Sequence, residues 1–547
     1  MTPAETQVSN EALDHTDSKK VYRPVFLRGL TMRIHYIGHA TLSIETGNCN
    51  IVTDPWTNGP AFCKTWYIFP KPAKDALPKR IDCILISHGH EDHLHEPTLE
   101  LLPKTATVFY PYFWYSNSKK HFSSLGFERS YEAVTDKRYR VADDVYVTFI
   151  GHKLDSIIVV EAGGKVLVNL NDALHSYELP AIEYFTSHIK RKWSKIDYVF
   201  CGFGGAGNFP NTIHLSGKND VEIAEARELL FVRNFCEIVS RLEPKIGVPF
   251  AADFVLLAPE HRWINNVRVP RGKIAEIYQK EYKRTGSDTV VYDMYSGDFI
   301  DGYRFEPASP YRAQMMGGRL NHLIETQYAD ELREHDTVEP IDESDAERLG
   351  CEILDNVKNR VKYVPSQKLD RVKFAIKVKD VVSRPYYHVD VRTGEPTVVR
   401  SDRSDPDCIL EIEILSVTLR YCFGSDWGGD VIFGYGANTH VSSKDIVLEN
   451  LDICCFTLLT RHPIDVEYLT RPSWRSLKFI YQNLLYRDLA VKKLMRRTDT
   501  LASRLYGQDK TYDRELWLTR NKCEICQVCS LTKFETVTPS DYSLLSS

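Results

Sequence analysis

The residues with the clearest chemical potential form one short run that directly follows the apolar segment 81–87: His88-Gly89-His90-Glu91-Asp92-His93. Two imidazoles placed two residues apart on an extended loop can bind one cation. The Asp-His pair that follows can reach a second cation about 3.5–4 Å away. Imidazole and carboxylate ligands suit zinc, iron or manganese. The spacing therefore predicts a site for two divalent metal ions, but the ligand types alone do not name the metal. We take zinc as the first choice, together with a hydrolase, and iron as the alternative, together with an oxygenase.

Three further polar residues stand at the ends of segments that we predict to be strands. Asp54 follows segment 51–53, His152 follows segment 145–150, and Asp172 follows segment 165–169. Each segment is short and rich in β-branched residues, which is typical of buried strands. We expect these strand ends to position the three side chains beside the histidine run.

The histidine run and its companions, in this order, resemble the metallo-β-lactamase superfamily. A closer resemblance is to the metal-binding portion of the CMP-N-acetylneuraminate hydroxylase family and, more distantly, to ascorbate-6-phosphate lactonase-like hydrolases. It covers about half of the chain, roughly residues 30–270. The stretches that carry it are Asp54-Pro55-Trp56, Gly59-Pro60-Ala61-Phe62, Ile86 to Leu94, Gly204-Gly205-Ala206, Ser216-Gly217-Lys218 and Pro249-Phe250-Ala251.

The resemblance implies a ligand set. The first metal would be held by His88, His90 and His152. The second would be held by Asp92, His93 and a late histidine, with Asp172 as a bridging ligand and Asp54 orienting the ligands by hydrogen bonds. His261 stands about where related families place their last ligand, and His214 competes for that role.

The predicted reaction is hydrolysis by a metal-bound hydroxide, with Asp92 as the catalytic residue that orients it. The resemblance implies a small anionic substrate such as a sugar phosphate, a lactone or a nucleotide sugar. The glycine-rich loop with Gly204 and Gly205, and Lys218 after it, are candidate substrate-binding residues, although a tight turn and a solvated lysine explain them equally well.

The alternative, which the resemblance to the hydroxylase family implies, is an iron-dependent oxygenase. In that family a Rieske iron–sulfur domain precedes the metal-binding domain. This sequence has about 30 residues there and contains no Cys-x-His pair. An oxygenase would therefore need a separate electron-transfer partner. Three cysteines near the C-terminus, Cys523, Cys526 and Cys529, could bind zinc or an iron–sulfur cluster if a fourth ligand joined them, but cysteines on a helix would show the same spacing.

The elements that must position these residues favour an α/β (α+β) class, namely an αββα metallo-β-lactamase sandwich with a C-terminal α+β extension. We predict a disordered tail over 1–29, the catalytic domain over 30–300 with a long helix at 221–242, and a linker or helical connection over 301–365 whose acidic part, 335–349, is exposed. A small α+β domain with strands at 374–378, 408–414 and 430–433, weakly similar to sterol-carrier domains, would occupy 366–465. A helical segment with the cysteine cluster would occupy 466–547.

Composition narrows the class of partner. Of the 547 residues, 26% are charged and the formal net charge is −5, so no basic surface for nucleic acid is expected. The polar start of the sequence lacks the apolar region of a signal peptide, and no apolar run approaches the 18 residues of a membrane span. These features predict a cytoplasmic enzyme with reduced cysteines.

Overall fold

The computed structural model describes residues 32–111, 118–152, 155–177, 179–205, 212–215, 219–425 and 428–461. The elements up to residue 255 are, in chain order, β1 (Arg33–Gly38), β2 (Thr41–Glu45), β3 (Asn50–Thr53), β4 (Pro60–Ala61), β5 (Trp66–Ile68), β6 (Cys83–Leu85), α1 (Glu96–Leu101), β7 (Thr107–Tyr110), α2 (Ser118–Ser124), β8 (Arg129–Glu132), β9 (Arg138–Ala142), β10 (Val145–His152), β11 (Asp155–Ala162), β12 (Lys165–Asn169), α3 (Leu179–Lys192), β13 (Tyr198–Gly202), β14 (Ile213–Leu215), α4 (Asp220–Leu242), β15 (Ile246–Phe250) and β16 (Phe254–Val255).

The remaining elements are α5 (Ile274–Ile277), β17 (Val290–Val291), β18 (Phe299–Asp301), β19 (Arg304–Glu306), α6 (Arg312–Met316), α7 (Leu320–Gln327), α8 (Ala329–Asp336), α9 (Glu343–Arg360), α10 (Ser366–Leu369), β20 (Lys373–Val378), β21 (Tyr386–Asp390), β22 (Thr397–Ser401), β23 (Leu410–Ile414), α11 (Ser416–Gly424), α12 (Gly428–Val431), β24 (Ala437–Val441), α13 (Lys444–Leu448) and α14 (Leu451–Leu459).

Two sheets and two helical layers form the first part of the molecule. One sheet has eight strands in the order β19-β18-β1-β2-β3-β6-β7-β8, and the other has seven in the order β17-β15-β13-β12-β11-β10-β9. Their facing sides share one apolar core. Helices α1 and α2 cover the outer face of the first sheet, and α3, α4 and α5 cover the outer face of the second. The predicted αββα sandwich is confirmed.

Helix α4 is the longest helix in this sandwich and matches the predicted helix at 221–242. The Asn219 side chain accepts a hydrogen bond from the Glu222 backbone N–H at its start, and Glu243 adopts a left-handed conformation at its end. Both features satisfy backbone groups that a helix end would otherwise leave unpaired. Its apolar side lies against the seven-stranded sheet.

A third sheet forms the C-terminal unit, by which we mean residues 343–461 together with β14. Its six strands are ordered β14-β24-β23-β20-β21-β22. β14 comes from the middle of the sandwich sequence and pairs in parallel with β24, so that Ile213 lies opposite Thr439. The unit and the sandwich also share an apolar core that contains Trp66 and Phe374. They are therefore joined by both main-chain and side-chain contacts.

Two sequence-based expectations for this unit differ from the structure. Segment 430–433 is helical rather than a strand, because so short an apolar run has no periodicity that separates the two. The acidic segment 335–349 is mostly exposed, as expected, but it is not only a linker, because it contains the start of α9, whose buried residues Ala346 and Leu349 pack in the core of the unit. Its charged side chains cover the outer face of a packed helix.

Several predicted regions lie outside the described residues, namely the N-terminal tail, Lys218, the last segment and the three cysteines of the C-terminal cluster. The ten cysteines within the described ranges are all free. Among the described helices, none is long and apolar enough to cross a membrane.

Candidate metal centre

Five of the seven predicted metal ligands meet at one edge of the sandwich, where strands from both sheets end. The histidine run follows β6, and Asp54 follows the neighbouring strand β3. From the second sheet, Asp155 begins β11 and Asp172 follows β12. Strand ends of two facing sheets thus bring widely separated residues together.

A hydrogen-bond network around Asp54 orients two of the histidines. Asp54 is fully buried, and its Oδ1 accepts the Ser87 backbone N–H at 2.7 Å. Its Oδ2 accepts the Ser87 hydroxyl at 2.6 Å and lies 3.0 Å from His93 Nδ1. The Ser87 hydroxyl oxygen lies 2.9 Å from His88 Nδ1. Protons assigned from this network sit on Nδ1 of both histidines, so that Nε2 carries the lone pair a metal requires.

The second half of the cluster contains His39, a residue that the sequence analysis missed. His39 lies in the turn between β1 and β2 with a φ of 50°, and its Nε2 lies 2.8 Å from Asp92 Oδ2. His93 Nε2 lies 3.5 Å from carboxylate oxygens of both Asp92 and Asp172. The two distances of 3.5 Å are longer than a typical hydrogen bond, so the nitrogen and the two carboxylate oxygens lie close together without direct bonding.

Three groups of side chains place one ligand atom each within 4.8 Å of one another: His39, Asp92 and His93; His88, His90 and Asp155; and His88, His93 and Asp172. Each group combines two imidazoles with one carboxylate. Five of the predicted ligands take part, and His39 and Asp155 are additions. The structure therefore brings together a cluster of His and Asp side chains that could bind metal.

The polar atoms in this cluster fit a bound cation. Buried atoms His93 Nε2 and Asp172 Oδ1 have no hydrogen-bond partner within the described part of the chain. Burial disfavours a charged imidazole, but the carboxylates of Asp92, Asp172 and Asp54 outweigh it and raise the pKa of His93. The negative charge that would stabilise an imidazolium would equally stabilise a metal ion.

Two predicted ligands remain outside these groups. His152 is the last residue of β10, opposite Asp155 in the strand register, and its side chain is not among those described. His261 is buried with its Nε2 2.8 Å from Asn438 Oδ1, and burial lowers its pKa to about 4. The competing His214 hydrogen-bonds Asp220 at 2.7 Å. His261 therefore has its partner in the C-terminal unit and His214 has its partner on α4, and neither histidine belongs to the three donor groups.

The stretches Asp54-Pro55-Trp56 and Gly59-Pro60-Ala61-Phe62 lie next to the cluster. Trp56 is fully buried, its ring lies edge-on to His39 with centroids 5.2 Å apart, and its Nε1 donates to the Gly59 carbonyl. The Phe62 backbone N–H donates to Glu91 at 2.6 Å. Burial raises the pKa of Glu91 to about 7, against the effect of that hydrogen bond. Phe62 thus holds the loop that carries the histidine run, whereas Trp56 packs against His39.

The glycine-rich loop is explained by close packing. An added Cβ at Gly205 would lie 1.9 Å from Phe231 of α4, and one at Gly204 would lie 3.0 Å from Ala252. A Cβ at Gly202 would lie 2.4 Å from Nδ1 of His175, whose Nε2 is 2.7 Å from the Gly204 carbonyl. The lack of side chains therefore serves packing against the protein, and positive φ angles are not the reason for these glycines.

Comparison with known proteins agrees with this architecture. Residues 33–183 match the family profile described as the β-lactamase superfamily domain. The cytidine monophosphate-N-acetylneuraminic acid hydroxylase of Danio rerio is 28% identical over 276 residues, which cover 46% of this chain and 43% of that protein. The inactive human protein of that name is 28% identical over 295 residues, covering 49% and 54%. The chain thus spans about half the length of the curated relatives it matches.

Two solved structures are also similar. CmlA, a diiron β-hydroxylase from Streptomyces venezuelae, is 17% identical, with a TM-score of 0.34, over 50% of this chain and 53% of its own. Igni18, a metallo hydrolase from Ignicoccus hospitalis, is 16% identical, with a TM-score of 0.32, over 50% of this chain and all of its own. With the profile match and the four-layer sandwich, residues 33–183 carry a β-lactamase superfamily domain, which confirms the resemblance to the metallo-β-lactamase superfamily.

Proposed function

We propose that this protein is a metal-dependent hydrolase that acts on a small anionic metabolite. The observation that carries the proposal is the convergence of three groups, each with two imidazoles and one carboxylate, at the edge of the sandwich. When bound, a pair of divalent metal ions supplies Lewis acidity and lowers the pKa of coordinated water towards neutrality.

The roles of the side chains follow from their contacts. His88, His90, His93 and Asp172 would hold the metal ions, with Asp155 and His152 at the strand ends beside them. His39 holds Asp92 through Oδ2. Oδ1 of Asp92 is then the oxygen that would accept a proton from the attacking water, so Asp92 acts as the catalytic base.

A half-buried arginine, Arg268, favours an anionic substrate. Arg268 donates through Nη1 to the Ala252 and Phe254 carbonyls, whereas its buried Nη2 has no hydrogen-bond partner in the described ranges. Its guanidinium lies 3.8 Å over the Phe254 ring, whose centroid is 6.1 Å from that of His39. The carboxylate of nearby Glu228 is hydrogen-bonded to another arginine. A guanidinium with a buried, unused donor favours a substrate carboxylate or phosphate close to the metal centre.

The test combines metal analysis with turnover. We expect protein purified without chelators to contain two equivalents of zinc and to hydrolyse one class among phosphate esters, lactones and nucleotide sugars. Asp92→Ala should abolish turnover with an unchanged circular dichroism spectrum, while Asp75→Ala, at an exposed position of the same domain, should keep full turnover. Full activity in the Asp92 variant would refute the assignment.

The second candidate is iron-dependent hydroxylation, and two observations favour it. Two histidines with one carboxylate form the ligand set of many non-haem iron oxygenases, and the curated relatives at 28% identity are named hydroxylases. This reaction would require a separate electron donor. Iron in the purified protein, with O₂ consumption that depends on a reductase, would favour hydroxylation, whereas zinc with substrate cleavage under anaerobic conditions favours hydrolysis.

A further inference from the structure

The C-terminal unit reaches the loop that carries the metal ligands. Trp66 Nε1, on β5 of the sandwich, donates to the Gly434 carbonyl at 2.8 Å. The Tyr421 hydroxyl of α11 lies 3.4 Å from Oε2 of Glu91, which stands between two predicted ligands. Through these contacts the turn that follows α12 packs on β5 of the sandwich, and α11 reaches the histidine run itself.

Histidines that bind metals are normally held through the second ring nitrogen by a carboxylate, carbonyl or hydroxyl, which fixes the ring and its tautomer. Within the sandwich, Ser87 contacts Nδ1 of His88 at 2.9 Å and Asp54 contacts Nδ1 of His93 at 3.0 Å. In both cases the outer partner lies on Nδ1 and Nε2 faces the cluster.

His90 has its carboxylate neighbour in the C-terminal unit. Oδ1 of Asp430, on α12, lies 3.9 Å from His90 Nε2, within ion-pair range and at a separation that one water molecule can bridge. The two side chains are 26% and 41% exposed, so both are accessible to such a water. Because Nε2 faces Asp430, Nδ1 is the nitrogen that His90 can present to the group formed with His88 and Asp155.

We propose that Asp430 is a positioning residue for His90, so that the C-terminal unit completes the metal centre of the sandwich. This inference rests on the proposed function, because it assumes that His90 binds a metal. Asp430 belongs to none of the three donor groups and would act on the metal only through His90. Its carboxylate fixes the His90 ring with Nδ1 towards the ion and increases the basicity of that nitrogen.

The contact between Tyr421 and Glu91 acts in the same direction. Oε2 of Glu91 accepts a hydrogen bond from the Phe62 backbone N–H of the sandwich and a second one from the Tyr421 hydroxyl of the C-terminal unit. The peptide that joins His90 to Asp92 is therefore fixed by both parts of the molecule. Loss of the C-terminal contacts should weaken metal binding without changing any ligand.

The experiment compares four full-length proteins: wild type, Asp430→Ala, Asp430→Glu and the control Asp402→Ala. Asp402 is an exposed residue of the same unit, after β22. Zinc affinity is measured by competition with a chromophoric chelator, and the cobalt(II) form is compared by its visible spectrum. We expect Asp430→Ala to bind zinc about 10- to 100-fold more weakly, with a changed cobalt spectrum. Asp430→Glu should restore most of the affinity, and Asp402→Ala should match wild type.

Each other result has a defined meaning. If wild type binds metal and Asp430→Ala binds it equally well, the role of Asp430 is refuted while the proposed function stands. If both Asp430 variants lose affinity equally and the metal-free proteins unfold at lower temperature than wild type, Asp430 has only a structural role and the inference fails. If wild type binds no metal, both proposals fail together.

Discussion

Replacing Asp54 by Asn tests whether the buried carboxylate sets the tautomer of His93. The change keeps the shape of the side chain but leaves one oxygen instead of two. The amide oxygen can still accept the Ser87 backbone N–H, now 2.7 Å from Oδ1. Its NH₂ group then occupies the position that faces His93 Nδ1 at 3.0 Å. An NH₂ group only donates, so it selects the His93 tautomer that has its proton on Nε2. In that tautomer Nε2, the nitrogen that faces the cluster, has no lone pair left for a metal.

The magnitude follows from the bonds that are lost. Loss of an outer carboxylate partner lowers metal affinity by about 10- to 100-fold, or roughly 1.4–2.7 kcal/mol. In the metal-free protein, the three hydrogen bonds to the Asp54 side chain lose their charge assistance, and each bond to a charged group is worth about 1.5–3 kcal/mol. We therefore expect weaker metal binding together with a measurable decrease in the free energy of unfolding.

Zinc affinity by chelator competition and urea denaturation of the metal-free protein measure the two effects separately. Asp75→Asn is the matched control, because Asp75 is exposed in the same domain. Asp54→Asn protein with wild-type affinity for both metal ions would refute the tautomer argument. Loss of folding stability with unchanged affinity would show that Asp54 serves the fold alone.

Two further predictions concern packing and pH. Gly205→Ala places a Cβ 1.9 Å from Phe231 and should lower the free energy of unfolding, measured by urea denaturation, by about 1–3 kcal/mol. The control Gly424→Ala has no atom within 4 Å of its Cβ and should change that free energy by less than about 0.5 kcal/mol. Equal effects of the two substitutions would contradict the packing argument. Burial raises the pKa of Asp293 to about 7, although the nearby arginines act in the opposite direction. The folded state therefore retains a proton that the unfolded state releases near pH 4. As a result, the free energy of unfolding decreases as the pH rises from about 4 to 7. Asp293→Asn cannot titrate and should gain stability relative to wild type across that window in thermal denaturation at several pH values, and a difference independent of pH would contradict this.

The strands of the sandwich could be predicted from the sequence because each forms a short β-branched run with polar residues at its ends. Segment 165–169 coincides with the observed β12, and segment 51–53 lies within the observed β3. The prediction of a strand at 430–433 was wrong, because the apolar residues of this segment lie in a helical turn that packs within the C-terminal unit. Local pattern identifies an element only where the length of the run separates strand from helix.

The residues of the candidate site also divide into those that a local sequence pattern reveals and those that only the folded structure brings together. The histidine run is local, and Asp54 and Asp172 could be found because each closes a strand pattern. His39 lies in a tight turn, where the only signal was a buried polar residue between two strands, and Asp155 was hidden as the first residue of a strand. Asp430 comes from a separate unit, and no pattern around it indicates a neighbour 340 positions earlier.

The pairing of β14 with β24 also governs how the chain can acquire its fold. The paired residues Ile213 and Thr439 are separated by more than two hundred positions, so the six-stranded sheet cannot close until the ribosome has released nearly all of the described chain. Until then β14 is a strand without its neighbour, and an open strand edge readily pairs with other chains. We therefore expect slow folding with a concentration-dependent loss to aggregates, and fragments cut after α8 that recover a native structure only when they are refolded together.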